Sequence, residues 1–432
     1  MKRWFIFMAG LWLMFVIDPT ASYAKATLQK KIDLAKPGST VTIDAGVYEE
    51  DLLISKPLTL KGKGNVQLKS GSGKPVITVE NTEDVSIQNV ELIGRKGDSV
   101  GIELKKGKDV SINKVNLLHF NQGIELFDIE DSEISDVTIK GKDGHFSKKA
   151  NGITLYNTKN IKVTGSHIQQ VQDGIYVEED EQSKLTGNRI SGSRYGIHLM
   201  YSEGTRVEDN RLHHNVTGLM HMESNGTTIK RNIMEQQTAY NGFGILLYNG
   251  KHIDVEENTF GHNGVGIALQ NIEDSNVKSN IIESNQTGIQ FIQYATSNVF
   301  SGNEVYANIQ SVSSDLMGAV LERNYWDDYS GMDLDGDGLG DTSYQSNDSF
   351  AKLMVKQKAY QYFFESPAVV TLGRMEKKLS FQDKQSVRDE SPLLQGSERK
   401  RDWGLDPVLL TLGLAGIVGG WYIWRRLNNP GV

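Results

Sequence analysis

Short alternations of apolar and polar residues, each only a few positions long, run through the middle of this chain. Between residues 101 and 291 one alternation opens nine times on the same phrase: glycine, a branched aliphatic residue, a variable residue, then usually another large apolar one. The copies begin at Gly101, Gly123, Gly152, Gly174, Gly196, Gly218, Gly244, Gly266 and Gly288. Every step is 22 residues, except 29 from Gly123 to Gly152 and 26 from Gly218 to Gly244. A fixed period of this length marks a repeat architecture.

In the copy at Gly196, Ile197 and Leu199 alternate with His198 and Met200, the period of a half-buried strand. Arg206-Val207-Glu208 and Asn210-Arg211-Leu212 supply two more short alternating pieces before the next glycine. Three such pieces per repeat, separated by Gly, Asn, Asp and Ser, lie too close together for helices and read as strands joined by turns. One coil of this kind cannot bury its own apolar side; stacked at about 4.8 Å per coil, the coils share a continuous core. The pattern predicts an all-β fold, a right-handed parallel β-helix (solenoid).

A second register runs through Asn188, Asn210, Asn232, Asn258, Asn280 and Asn303, at nearly constant phase. Stacked amides of this kind form a ladder from coil to coil, and its role is structural. The extra residues at 141–150 and 236–240 become loops on one edge.

The flanks read differently. Residues 1–24 resemble a secretory signal: Lys2-Arg3, an apolar run over 4–17, then Ser22-Tyr23-Ala24 as a small-residue cleavage site. Residues 25–100 form an N-terminal cap and the first coils, with a short amphipathic helix within 25–36 stopped by Pro37-Gly38. The repeat β-helix spans 101–303, and residues 304–375 hold a C-terminal cap, an acidic loop and a helix over 350–364. The polar segment 376–404 reads as a flexible linker. Residues 405–424 are apolar and long enough to span a bilayer as a transmembrane helix. Trp403, Trp421, Tyr422 and Trp424 lie at its interfaces, and the tail 425–432 carries Arg425-Arg426 on the cytoplasmic side. The expected topology is a single-pass membrane protein with the β-helix outside the cytoplasm.

Four of the nine histidines, His198, His213, His214 and His221, fall within 24 residues. Met200, Met220, Met222 and Met234 lie in or just beyond the same window. Aligning the coils on Gly196 and Gly218 puts His198 over Met220 and Met200 over Met222. Residues two apart on a strand share a face, so His198, Met200, Met220 and Met222 are expected to project outward as a compact exposed square. Thioethers and imidazole suit Cu(I); a methionine-rich partner interface is the alternative. His221 takes a phase normally held by Leu or Val and reads as an interior histidine. His213 and His214 are adjacent in a turn and are expected to point apart.

In residues 333–341, Asp333, Asp335, Asp337 and Asp341 alternate around Gly336 and Gly338 in the manner of the first half of an EF-hand-type calcium loop. Tyr344 stands where that loop would have its closing Glu, so the reading is a partial structural Ca²⁺ loop, with a solvated acidic turn as the alternative.

A net charge of −8 argues against nucleic acid as a partner. The chain has no cysteine, which excludes disulfides, thiolate metal sites and cysteine nucleophiles. Parallel β-helices often cleave polysaccharides. The outward column Thr154, Tyr156, Tyr176, Glu178, His198, Met200, Met220, Met222, Leu246, Tyr248, Ala268 and Gln270 offers one carboxylate and no Lys or Arg, whereas glycoside hydrolysis needs two carboxylates. The expectation is therefore no enzyme; a carbohydrate-binding or polysaccharide-cleaving β-helix is the alternative.

The coil Arg194-Tyr-Gly-Ile-His-Leu-Met-Tyr-Ser202, the phrase Lys56-Pro-Leu-Thr-Leu60 and the closing Asn324-Tyr-Trp-Asp-Asp-Tyr followed by residues 333–341 together resemble the NosD family. The resemblance covers roughly residues 26–344. It implies a non-enzymatic, exported β-helical protein that supports copper-site maturation of nitrous oxide reductase. It also implies partners: an ABC permease and ATPase (NosY and NosF), the copper chaperone NosL, and nitrous oxide reductase itself. The expected cofactor is copper as Cu(I), with calcium in the acidic loop. The C-terminal anchor departs from the soluble periplasmic form of the family and implies a membrane-tethered variant.

Overall fold

Branched side chains at alternate positions of three short strands per turn wind the chain into coils whose inner wall is apolar. The computed structural model describes residues 27–94, 100–240, 242–315, 319–346 and 387–396, together with 366–368, 371 and 375. The signal segment, the 350–364 helix and the 405–424 span lie outside these residues. Among the described residues no helix is long and apolar enough to cross a membrane.

In the main sheet the strands pair in parallel with their counterparts one coil away, from Ser39–Glu49 against Leu58–Lys69 to Glu304–Tyr306 against Tyr325–Trp326. The register through the middle is unbroken: Ile175, Ile197, Leu219, Ile245, Ile267 and Ile289 follow one another along the stack. All six are fully buried. The fold is an all-β parallel solenoid.

The repeated glycine has a steric cause. A Cβ on Gly196 would lie 2.5 Å from the carbonyl oxygen of Gly218, and one on Gly218 would lie 2.5 Å from that of Gly244. The glycines permit close approach between coils and do not supply a left-handed turn. The turns reach positive φ at other positions, with glycine in some coils, such as Gly187 at 68° and Gly192 at 69°, and other residues in the next, such as Asp209 at 56° and His214 at 55°.

The asparagine ladder forms. The Asn188 amide donates to Asn210 Oδ1 at 3.0 Å, and the same contact repeats through Asn232, Asn258, Asn280, Asn303 and Asn324. Each rung also accepts a backbone N–H from the rung before, as in Asn210 N–H to Asn232 Oδ1 at 2.9 Å. A parallel file, Asn215, Gln237, Asn263, Asn285 and Asn308, does the same at another corner and escaped the sequence reading. Its glutamine breaks the residue identity that marks the first ladder.

Helix Leu28–Leu34 covers one end, with Thr27 as its N-cap and Leu28 and Ile32 buried. Its Gln29 side chain pairs with the Leu53 backbone, accepting the N–H at 2.8 Å and donating to the carbonyl at 3.1 Å. An edge strand is thereby given a partner.

The other end corrects the linker expectation. Within that segment, Val387–Asp389 forms a strand, parallel to Ala319–Leu321 and antiparallel to Tyr344–Gln345. Asp389, fully buried, accepts from Asn324 N–H and Nδ2 at 2.9 Å and from Trp326 Nε1 at 3.0 Å, ending the asparagine ladder on a carboxylate. Trp326 stacks on Tyr344 at 4.3 Å. Three buried residues, Val387, Asp389 and Pro392, dock this stretch, too few to register as a hydrophobic pattern.

Candidate metal centre

Strands Asp173–Glu178, Tyr195–Met200 and Thr217–Met222 lie in consecutive coils. Their register pairs Tyr176 with His198 and Glu178 with Met200, then His198 with Met220 and Met200 with Met222. The vertical neighbours expected from the sequence are therefore neighbours in the fold. Met200, Met220 and Met222 are half-buried.

His198 corrects the expectation of an exposed corner: it is only 5% exposed. Its ring lies between two aromatic edges, Tyr176 at 5.0 Å and Tyr195 at 4.9 Å between centroids. His198 keeps its outward strand phase, but larger neighbours cover it. Its Nδ1 lies 3.1 Å from Asp173 Oδ2, and its Nε2 is buried with no hydrogen-bond partner among the described residues. Asp173, 1% exposed, also accepts both arms of Arg194: Nε to Oδ1 at 2.9 Å and Nη2 to Oδ2 at 2.6 Å. Burial pushes the Asp173 carboxyl up, but the hydrogen bonds from His198 and Arg194 outweigh it and hold it below the ordinary carboxylate range. The guanidinium itself sits 4.4 Å above the Tyr195 ring.

Beside this group the Tyr176 hydroxyl donates to Glu178 Oε2 at 2.7 Å and reaches Met200 Sδ at 3.4 Å. Burial and the Glu178 carboxylate push that phenol up, so it stays a donor. Asp173, Arg194 and Tyr176 are site residues that the sequence reading did not assign. The only signal was the Asp173-Gly and Arg194-Tyr-Gly openings of successive coils, and nothing in a linear reading aims an Asp of one coil at a His of the next.

The remaining histidines divide. His221 is fully buried in the core phase, with Nε2 3.1 Å from Thr227 Oγ1, and burial lowers it to about 4. His213 and His214 do not point apart: their Nδ1 atoms lie 2.9 Å from each other. The positive φ of His214 turns the backbone so that adjacent side chains converge. Desolvation, then the neighbouring His214, lowers His213.

In the acidic loop, ligand oxygens of Asp333, Asp335 and Asp337 all lie within 4.8 Å of one another. Asp341 lies outside that group; its Oδ2 accepts the Leu334 N–H at 2.6 Å. Gly336 and Gly338, at φ of 81° and 84°, turn their N–H groups onto the two oxygens of Asp333 and hold it below its usual range.

The outward column is also longer than expected. Glu103 pairs with Glu125, Glu125 with Thr154, and Thr154 with Tyr176. Two further carboxylates and Lys105, which bonds Glu103 at 2.8 Å, thus share the wall. Desolvation, then the Glu103 charge, raises Glu125.

The known proteins most informative about this geometry fall in two groups. Among solved structures, the A-module of mannuronan C-5 epimerase AlgE4 from Azotobacter vinelandii is similar at a TM-score of 0.50 and 14% identity, over 69% of this chain and 89% of that one. The polygalacturonase of Erwinia carotovora ssp. carotovora is similar at 0.50 and 14%, over 67% and 92%. At that identity the likeness shows the fold alone. Among relatives by sequence, a protein of Pseudomonas aeruginosa described as a probable ABC transporter binding protein NosD is 31% identical over 98 residues. One of Stutzerimonas stutzeri with the same description is 27% identical over 100 residues. Each aligned stretch spans 23% of this chain and 23% of the relative. The profile of the family described as periplasmic copper-binding protein (NosD) matches residues 135–331, which contain Asp173, Arg194, His198 and all three methionines of the site. Through those coils this chain is similar to the NosD family.

Proposed function

We propose that this protein is an extracytoplasmic copper-handling component of an ABC transporter system, with His198, Met200, Met220 and Met222 as its Cu(I) ligands. The observation that carries the reading is the register itself: one imidazole and three thioethers fall on two adjacent coils, two positions apart on each strand. The donor set fits the ion. Thioether and imidazole are neutral, polarisable ligands suited to Cu(I), and a buried Nε2 without a partner is an available lone pair. The family description and the names of the two relatives support copper and an ABC transporter as the context.

On this reading the solenoid receives copper from a chaperone of the NosL kind. It works with a NosY-type permease and a NosF-type ATPase to supply the copper sites of nitrous oxide reductase. Residues 1–24 direct export and residues 405–424 tether the solenoid to the membrane. The protein performs no covalent chemistry; ATP hydrolysis by the partner ATPase changes how the solenoid holds ion or partner. Calcium at Asp333, Asp335 and Asp337 fastens the closing cap. Competition with a Cu(I) chelator tests the central claim. Wild-type protein is expected to retain Cu(I) and the Met200→Ala/Met220→Ala/Met222→Ala variant to lose at least tenfold in affinity; equal, negligible retention by both would refute direct binding.

A second reading draws on the Glu103–Glu125 pair beside Lys105, which gives the same wall two carboxylates, one of them raised. That arrangement suits acid–base work on a polysaccharide. Release of sugar products from uronic-acid polymers, abolished by Glu125→Gln, would favour it over copper handling.

A further inference from the structure

We infer that Asp173, clamped by Arg194, is the positioning residue that fixes His198 with its proton on Nδ1 and thereby makes Nε2 the metal-binding atom. This rests on the copper reading for its consequence, but not for its geometry.

An ionised carboxylate only accepts hydrogen bonds. Both Asp173 oxygens are engaged by the Arg194 fork, and Oδ2 additionally faces His198 Nδ1 at 3.1 Å. At that atom a bare Nδ1 would set lone pair against lone pair, so Nδ1 carries the hydrogen. A neutral imidazole has one hydrogen, which leaves Nε2 with its lone pair free. Nε2 is the atom found buried and without a partner. The aromatic edges of Tyr176 and Tyr195 restrict rotation of the ring about that contact. In the same contact the Arg194 cation offsets the Asp173 anion. A carboxylate or carbonyl behind a metal-binding histidine is the usual means of setting tautomer and ring orientation, and its loss typically costs 10–100-fold in metal affinity. Asp173 reaches His198 from the preceding coil, and Arg194, just ahead of the His198 strand, clamps Asp173, so the device exists only once the coils stack.

The test uses the full-length protein with ¹⁵N-labelled histidine, the His198 signals being assigned with His198→Gln. In the metal-free wild type, long-range ¹H–¹⁵N spectra are expected to show Nδ1 protonated and Nε2 bare. In Asp173→Asn, either amide orientation sets an NH₂ group against an N–H of Arg194. The clamp opens, and the Nε2 signal shifts toward the protonated position. Cu(I) affinity, by chelator competition, is expected to fall 10–100-fold, with the far-ultraviolet spectrum unchanged. A wild-type His198 protonated on Nε2, or an Asp173→Asn variant that keeps both tautomer and affinity, would overturn the inference. If that variant does not fold, the wild-type tautomer alone decides. A wild type that holds Nδ1–H but retains no Cu(I) would sink the copper reading while leaving the Asp173 assignment standing.

Discussion

His221 occupies a position that Leu, Val or Phe fills in most other coils, and it does so fully buried. Thr227 holds one ring nitrogen; the other, Nδ1, has no partner among the described residues. Burial lowers its affinity for a proton from an ordinary 6.5 to about 4. The unfolded chain protonates His221 near 6.5, while the folded chain resists until about 4. Stability held above pH 6.5 is therefore lost progressively as pH falls through that window, by about 3 kcal/mol in all. Urea denaturation at pH 7 and pH 4 is expected to show this loss in the wild type. The loss should shrink by that amount in His221→Leu; an equal pH dependence in both would show that His221 does not resist protonation. The identity of His221 as interior was legible from its phase. The burial of His198 was not, because it depends on the girth of Tyr176 and Tyr195, the former contributed by the neighbouring coil.

At the scale of one coil, glycine and asparagine set how closely neighbours approach. Asn232 donates to Asn258 Oδ1 and Val207 O and accepts from Asn210, all buried, and donates to Lys230 O, which is part-buried. Replacing it with Ala leaves buried donors and carbonyls unpaired, each costing about 1–3 kcal/mol. Asn232→Ala is expected to destabilise the solenoid by about 2–4 kcal/mol, measured by the denaturation midpoint, with little change in circular dichroism. Gly196→Ala acts by a different route: its methyl would meet the Gly218 carbonyl at 2.5 Å, a rigid backbone atom. That substitution should part the two coils that carry the methionines. Its signature is reduced Cu(I) affinity together with reduced stability, whereas Asn232→Ala should spare affinity.

A solenoid has two open ends, and each must be covered or its strand edges invite association. Here the covers differ in kind. A helix with a backbone-mimicking Gln29 closes one end; a returning strand with Asp389 closes the other. Asp389→Ala removes three hydrogen bonds from buried Asn324 and Trp326 and is expected to cost about 2–4 kcal/mol. Limited proteolysis should then cut first within the last coils near residues 304–326. Unchanged protection there would mean that the returning strand is not a cap. This closure was the least legible feature of the fold, since Val387 and Asp389 are isolated in a charged stretch.

The periodic glycine, the alternating aliphatics and the repeating asparagine are local and recur, so the sequence alone determined the coil, its length, its inner face and which residues become vertical neighbours. That was enough to place His198 over Met220 and Met200 over Met222. Only the stacked chain decided what surrounds them: the Asp173–Arg194 clamp, the aromatic cover on His198, the converging His213–His214 pair and the docking of Asp389. Those depend on side-chain size and backbone turns meeting across coils, and a repeat specifies where its neighbours stand without specifying what their side chains reach.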